Sequence, residues 1–156
     1  MSEAIEALEE LDVPLAAIEE ARERVRPLVH HTPVLVSATA ARWAEAAKGT
    51  AMADGRLYLK AEHLQKTGSF KARGTTNRLA TLAPEAAERG VITFSAGNAA
   101  QAYGWAGREA GVPVTVVMPA GAVRSKVDAC RGYGTRVVLH GAHVGETLRE
   151  LERIRE

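Results

Sequence analysis

The sequence predicts an α/β fold with an open, twisted parallel sheet and flanking helices. Short apolar stretches rich in Val, Ile and Phe recur every ~22 residues, a spacing typical of strands joined by helical crossovers. These stretches occupy 91–94, 114–117 and 136–139. Each is followed by a stretch that favours a helix, at 98–110, 122–131 and 145–156. This alternation predicts parallel strands connected in a right-handed sense.

The first half of the chain is less regular. Residues 1–11 form an acidic lead-in. Apolar side chains recur on one face of residues 15–29, which predicts an amphipathic helix, and a second short helix is predicted over 38–47. In residues 56–60 two leucines alternate with Tyr and Lys, which predicts a strand that leads into a polar loop.

Composition excludes several classes of function. Twenty Lys and Arg are mixed with 19 Asp and Glu, so the net charge is +1 and no basic patch for nucleic acid or a membrane surface is evident. No apolar run approaches membrane-spanning length, and the N-terminus is acidic where a signal peptide would be basic. The one cysteine, Cys130, fits a reducing cytoplasm and the role of a small buried hydrophobe. The spacing of His, Cys and carboxylates predicts no metal site.

Lys71 stands where a helix is predicted to begin, with Ser69 as its N-cap and Pro84 beyond its end. A helix N-terminus carries partial positive charge and disfavours an ammonium there by some tenths of a kcal/mol. That position suits a lysine that must act as a neutral amine and condense with an aldehyde. The residues alone leave two interpretations open, a nucleophilic Lys71 and a solvated surface lysine. In the same helix, Arg73 is expected to form a structural ion pair, and Gly74 to permit close packing.

The loop of residues 95–98 lies where a predicted strand ends and a helix starts. In an open α/β sheet this edge is the usual binding crevice, and its successive backbone N–H groups favour an anion. Gly97 would let a ligand approach the backbone closely. The alternative interpretation is an ordinary strand-to-helix turn with a polar cap.

Several motifs, in order along the chain, resemble those of threonine/serine dehydratases. These enzymes belong to the tryptophan-synthase-β-like, fold-type-II family of pyridoxal-phosphate enzymes. Residues 69–74, Ser-Phe-Lys-Ala-Arg-Gly, are similar to the family's Ser-Phe-Lys-x-Arg-Gly signature, and residues 95–101 to its Ser-x-Gly-Asn-His-x-Gln loop. Residues 117–119 with Lys126 and 132–138 resemble the strand–helix–strand that follows, and 15–33 the dehydratase N-terminal helix with its Thr-Pro exit.

The resemblance implies roles for particular residues. Lys71 would hold pyridoxal phosphate as a Schiff base and would later abstract the α-proton of the substrate. Phe70, which could otherwise be simply a core residue, would lie against the cofactor ring, and Asn98 would hydrogen-bond the ring hydroxyl. The substrate carboxylate would bind to the loop formed by Ser95, Ala96, Gly97 and Asn98. The implied reaction is β-elimination of threonine or serine to a 2-oxo acid and ammonia.

Departures from the family pattern refine this expectation. Ala99 replaces the usual His, so one substrate contact of the family is missing or supplied elsewhere. Ala96 stands where the racemase branch carries a serine that acts as the second proton donor, which favours elimination over racemisation. Ala72 stands where sulfhydrylase-like relatives have Asp, which favours the dehydratase branch. A serine racemase-like enzyme remains the alternative activity.

The resemblance also implies an incomplete fold-type-II enzyme. Relatives are roughly twice this length, and their glycine-rich phosphate loop and the Ser or Cys that faces the pyridine nitrogen lie beyond the matched region. Residues 1–50 are expected to be an N-terminal helical segment of the large domain, and 51–156 the small-domain region, with the C-terminal large domain absent. The expected partners are a small amino-acid substrate and either a second copy of the chain or a complementary C-terminal half. An inactive fragment that needs such a half is the non-enzymatic alternative.

Overall fold

The structure is a computed structural model that describes residues 13–52 and 54–156, so the acidic lead-in lies outside the described residues. In chain order the elements are α1 (Leu15–Val25), β1 (Val34–Ser37), α2 (Ala38–Lys48), β2 (Leu57–Lys60), α3 (Lys71–Ala80), α4 (Pro84–Arg89), β3 (Val91–Phe94), α5 (Asn98–Ala110), β4 (Val114–Met118), α6 (Arg124–Gly132), β5 (Arg136–Leu139) and α7 (Val144–Arg155). Two short 3-10 turns, Glu62–Leu64 and Lys66–Gly68, join β2 to α3. No described helix is long and apolar enough to cross a bilayer.

The parallel sheet predicted from the sequence is confirmed. Its strand order is β3-β4-β5, with Val91 opposite Val114 and Thr115 opposite Arg136. The central strand is buried on both faces, as expected for a parallel sheet covered by helices, and its residues Val116, Val117 and Met118 are 0% exposed. The core behind it includes Ala100 from α5 with Val127 and Cys130 from α6.

An antiparallel ribbon of β1 and β2 was not predicted. Val34 pairs with Lys60 and Ser37 pairs with Leu57. Neighbouring residues of a strand point to opposite faces, yet Val34, Leu35 and Val36 are all exposed, so both faces of β1 face solvent. The sheet prediction was therefore incomplete, because β1 is a short strand whose partner lies far along the chain.

Helices α3 and α5 pack against each other across a second core cluster, formed by Ala72, Leu79, Trp105, Ala106 and Val112. Small residues let α5 lie close to β4 and to the segment that precedes it. A Cβ on Gly107 would overlap a methyl group of Val114 and would lie 2.8 Å from the carbonyl oxygen of Val112. This packing joins α3, which carries Lys71, to the parallel sheet, from which α5 extends.

Two expectations about α3 were wrong. Ser69 does not cap the helix, and its buried hydroxyl has no hydrogen-bond partner among the described residues. The helix begins at Lys71 with Phe70 in the N-cap position and ends at Ala80, so Ser69 lies one residue too early to cap it. Gly74 does not serve close packing, since no atom lies within 4 Å of a Cβ built there.

The start of α3 is tied to the segment after α1 by a hydrogen-bonded network. Arg73 donates two hydrogen bonds to Glu62, of 2.8 and 2.7 Å, and contacts the hydroxyl of Thr32 and the carbonyl of His30. The buried Gln65 side chain accepts from the backbone N–H of His30 at 2.8 Å and donates to its carbonyl at 2.7 Å. We call these five residues the anchor network. The ion pair expected for Arg73 is confirmed.

The charge of Glu62 is stabilised in place. Hydrogen bonds from the Arg73 guanidinium lower the pKa of the Glu62 carboxyl from 4.5 to about 2. Partial burial opposes this lowering of the pKa, and the hydrogen bond from the Thr32 hydroxyl adds to it. The pKa of the Arg73 guanidinium is raised by the same pairing. Folding therefore favours the ionised pair.

The anchor network should make stability pH-dependent. Because the folded pKa of Glu62 lies below its unfolded value, the stabilisation is complete above pH 4.5 and is lost as the pH falls toward 2. Glu62→Gln should lower the free energy of unfolding at pH 7 by about 1–3 kcal/mol and flatten this acid limb. Urea unfolding between pH 2 and 7 measures both. Glu23→Gln, which removes an exposed ion pair with Arg26, is the control and should do neither.

Two helical glycines should respond oppositely to alanine. Gly107→Ala should lower the free energy of unfolding by about 1–3 kcal/mol, because the added methyl overlaps Val114. Gly74→Ala should raise it by about 0.5–1 kcal/mol, because the position is open and helical. Thermal or urea unfolding compares them, and equal destabilisation by the two substitutions would contradict the packing described.

Candidate active site

Lys71 is the first residue of α3 and is exposed to solvent. Its Nζ lies 4.9 Å from the centroid of the Phe70 ring, and no carboxylate within residues 13–52 and 54–156 forms an ion pair with it. Phe70 is 59% exposed, so the interpretation of it as a core residue is wrong for the part of the chain described. Together they present an exposed amine that lies over one face of an exposed aromatic ring.

The backbone before Lys71 is held in an unusual conformation. Thr67 (φ 59°) and Gly68 (φ 72°) are both left-handed, which turns the chain sharply into the extended Ser69. Gln65 fixes the start of this turn, because its side-chain oxygen accepts from the backbone N–H of Lys66 at 2.9 Å. The position of Lys71 therefore depends on the anchor network as well as on α3.

Residues 95–98, here called the Ser95 loop, continue the edge of the sheet into α5. The N–H of Ser95 donates to the carbonyl of Val117 at 3.3 Å, one residue past the end of β3. Its Oγ accepts from the N–H groups of Gly97 at 3.2 Å and Ala100 at 3.3 Å. Of the N–H groups in the first turn of α5, Ser95 binds only that of Ala100. The N–H groups of Asn98 and Ala99 remain at the start of the helix, where an anion is favoured.

Asn98 begins α5 and is exposed. Its Oδ1 accepts a hydrogen bond of 2.9 Å from the Nζ of Lys126 in the first turn of α6. Lys126 belongs to one of the motifs that resemble the family, but its contact with Asn98 was not predicted from the sequence. A signal for it existed, because α5 and α6 follow neighbouring parallel strands and so start at the same edge of the sheet.

The predicted site residues form two groups. Phe70 and Lys71 lie together, and Ser95, Ala96, Gly97 and Asn98 form the loop before α5. The groups are connected through the packing of α3 on α5. No hydrogen bond joins Lys71 to the Ser95 loop in the described part of the chain, so their convergence on one ligand stays a prediction.

Other reactive side chains do not add to the site. Cys130 is a buried free thiol, and burial raises the pKa of that thiol, as suits a core residue. In the ranges 13–52 and 54–156, no three His, Cys, Asp or Glu side chains cluster as a metal site would require.

The residues present fit the group that the family resemblance implies. An unpaired primary amine suits an aldehyde, and an exposed aromatic face beside it suits a planar ring. The Asn98 amide has its oxygen engaged by Lys126, while no described acceptor binds its Nδ2, so two N–H donors remain for an anionic oxygen.

Comparison with known proteins agrees with this chemistry. Residues 25–156 match the family described as pyridoxal-phosphate dependent enzyme. A catabolic L-threonine dehydratase of Staphylococcus aureus is 37% identical over 142 residues, which cover 91% of this chain and 39% of that protein. L-threonine ammonia-lyase of Thermotoga maritima is 38% identical over 144 residues, or 92% of this chain and 34% of that protein. Maize serine racemase superposes with a TM-score of 0.75 at 34% identity, covering 88% of this chain and 39% of that chain.

The chain spans about two fifths of the length of the curated relatives it matches first. The matched region contains both groups of site residues and the three parallel strands. The family match covers most of the chain and includes the lysine that the sequence singled out. The protein therefore belongs to the pyridoxal-phosphate dependent enzymes of fold type II.

Proposed function

We propose that the protein supplies part of the active site of an enzyme that deaminates threonine or serine by β-elimination. The observation that carries the proposal is the unpaired Lys71 amine at the start of α3, beside the exposed Phe70 ring. The similarity to a threonine dehydratase and a threonine ammonia-lyase supports the reaction class. When bound, pyridoxal phosphate supplies an aldehyde that condenses with amines and a ring that withdraws electrons from the α-carbon of the substrate.

Lys71 has two roles in this proposal. Its Nζ would hold the cofactor covalently, and the same amine would accept the α-proton of the substrate. The β-hydroxyl then leaves as water, and hydrolysis releases ammonia and a 2-oxo acid, so the net reaction needs no further reactant. The Phe70 ring lies beside this amine, with the Nζ of Lys71 4.9 Å from the ring centroid.

The Ser95 loop is proposed to bind the substrate carboxylate. The free N–H groups of Asn98 and Ala99 at the start of α5 are oriented donors for an anion. The Ser95 hydroxyl already accepts two N–H groups, and its own hydrogen stays available to donate. The Nδ2 group of Asn98 is proposed to hydrogen-bond the ring oxygen of the cofactor.

Ala96 bears on the choice between elimination and racemisation. Its methyl group can neither donate nor accept a proton, so the loop offers no acid at the position where the racemase branch has a serine. The structural similarity to maize serine racemase keeps racemisation as the second candidate activity. We place elimination first because of this missing hydroxyl.

The remaining parts of the proposal concern partners and organisation. Both faces of the β1–β2 ribbon are exposed, and Trp43 of α2 is 72% exposed, which is expected of surfaces that another protein segment covers. The assignment of residues 1–50 to a large domain and 51–156 to a small domain is proposed from the family resemblance alone, and the pairing of β1 with β2 crosses this boundary. The covering segment is a complementary C-terminal half that also binds the cofactor phosphate, or a second copy of the chain. We also propose a cytoplasmic location, with which the buried free thiol of Cys130 agrees.

Covalent attachment of the cofactor tests the proposal directly. Pyridoxal phosphate added to the chain should give a saturable visible band, and borohydride reduction followed by peptide mapping should find the label on Lys71. Lys71→Ala should abolish both the band and the label.

Lys71→Arg is the matched control, because it keeps the positive charge and cannot form the covalent link. It should behave like Lys71→Ala. Label spread evenly over many lysines, with no loss in either variant, would overturn the proposed role of Lys71.

Product analysis separates the two candidate activities. We expect the chain, combined with the C-terminal region of the Thermotoga maritima relative, to convert L-threonine or L-serine to equal amounts of 2-oxo acid and ammonia. Ala96→Ser should add a measurable D-amino acid product, because it introduces a hydroxyl that can exchange a proton. Chiral chromatography measures both.

Ala110→Ser at the exposed end of α5 is the control and should leave the products unchanged. If the unsubstituted chain racemises serine as fast as it eliminates water, the racemase candidate is favoured instead.

A further inference from the structure

Lys126 makes a contact that neither its helix nor the sheet explains. It lies in the first turn of α6, where the helix macrodipole disfavours a cation and no acidic residue offsets it. The nearby Asp128 pairs with Arg124, at 3.6 Å, and not with Lys126. The Lys126 Nζ reaches across to α5 and donates to the Oδ1 of Asn98 at 2.9 Å.

This contact determines which end of the Asn98 amide faces away from α6. A lysine ammonium has three donors and no acceptor, so it can bind only the oxygen of an amide. The amide nitrogen must then point away from Lys126, and within the described residues no acceptor engages it. An asparagine without such a neighbour could rotate by half a turn and present its oxygen instead, which would repel an anion.

We propose that Lys126 is a positioning residue that holds Asn98 in the donor orientation for the cofactor. The inference rests on the proposed function, in which the Asn98 amide binds a ring oxygen of pyridoxal phosphate. The ammonium polarises the amide carbonyl through the hydrogen bond, and this polarisation strengthens the N–H donors on the opposite side. Lys126 therefore acts through Asn98 and needs no contact with the cofactor.

The unloaded chain gives the first test. We expect Lys126→Met to shift the side-chain amide resonances of Asn98 in a ¹⁵N–¹H spectrum, while the backbone resonances of β3 and β4 stay in place. Lys126→Arg, which restores a donor without an acceptor, should return the Asn98 resonances toward those of the parent chain. Lys48→Met, at the exposed end of α2, is the control and should leave them unchanged.

The loaded chain gives the second test. Lys126→Met should weaken the binding of pyridoxal phosphate about tenfold, which corresponds to about 1.4 kcal/mol. It should also shift the pH at which the visible band appears, since the ring oxygen loses an oriented donor. Lys126→Arg should recover both. A role limited to holding α6 against α5 would alter stability and leave the pH dependence of the band unchanged.

The outcomes separate the two proposals. Unchanged Asn98 resonances in Lys126→Met, in a chain that attaches the cofactor to Lys71, would overturn the role of Lys126 alone. The same holds if Lys126→Arg fails to restore the affinity for pyridoxal phosphate and the pH dependence of the band. Failure of the parent chain to attach the cofactor to Lys71 would overturn the proposed function and this inference with it, even where the resonances show the hydrogen bond.

Discussion

The ion pair of Arg73 with Glu62 is the interaction on which the geometry of the site depends. Its bidentate hydrogen bonds join α3 to the 3-10 turn after β2, and the hydroxyl of Thr32 extends the pair to the segment after α1. The side chain of Glu62 is only 18% exposed, so solvent screens the pair less than it would a surface pair. Three stretches that are distant in sequence are therefore fixed around the turn that delivers Lys71.

Two separate parts of the fold hold the residues of the candidate site. Lys71 is held by the anchor network and by the left-handed turn at Thr67 and Gly68, whereas Asn98 is held by the end of a parallel strand and by Lys126. The packing of α3 on α5 is what relates the two parts. This arrangement places the groups proposed to contact a ligand at the starts of helices, where N–H donors are unsatisfied, while the strands provide a rigid support.

Much of this organisation could be predicted from the sequence. The spacing of the strands predicted the parallel sheet. Turn residues and the family resemblance predicted the loops before α3 and α5, because these signals lie within short stretches of sequence or follow one another in order along the chain. The expected cap at Ser69 was wrong because the helix begins at Lys71 with Phe70 in the N-cap position, one residue later than the general preference of serine for that position indicates. β1 was missed because its four residues gain their structure only by pairing with residues 57–60. The contact of Lys126 with Asn98 depends on two helices that start at one sheet edge, which no local pattern contains.

The central claim is that Lys71 and the Ser95 loop form two sides of one cofactor site. A crystal structure of the chain grown with pyridoxal phosphate measures this most directly. We expect continuous electron density from the Nζ of Lys71 to the cofactor, with the ring against Phe70 and its oxygen within hydrogen-bond distance of the Nδ2 of Asn98. Density for the cofactor at another lysine, or at Lys71 with Asn98 turned away from the ring, would contradict it.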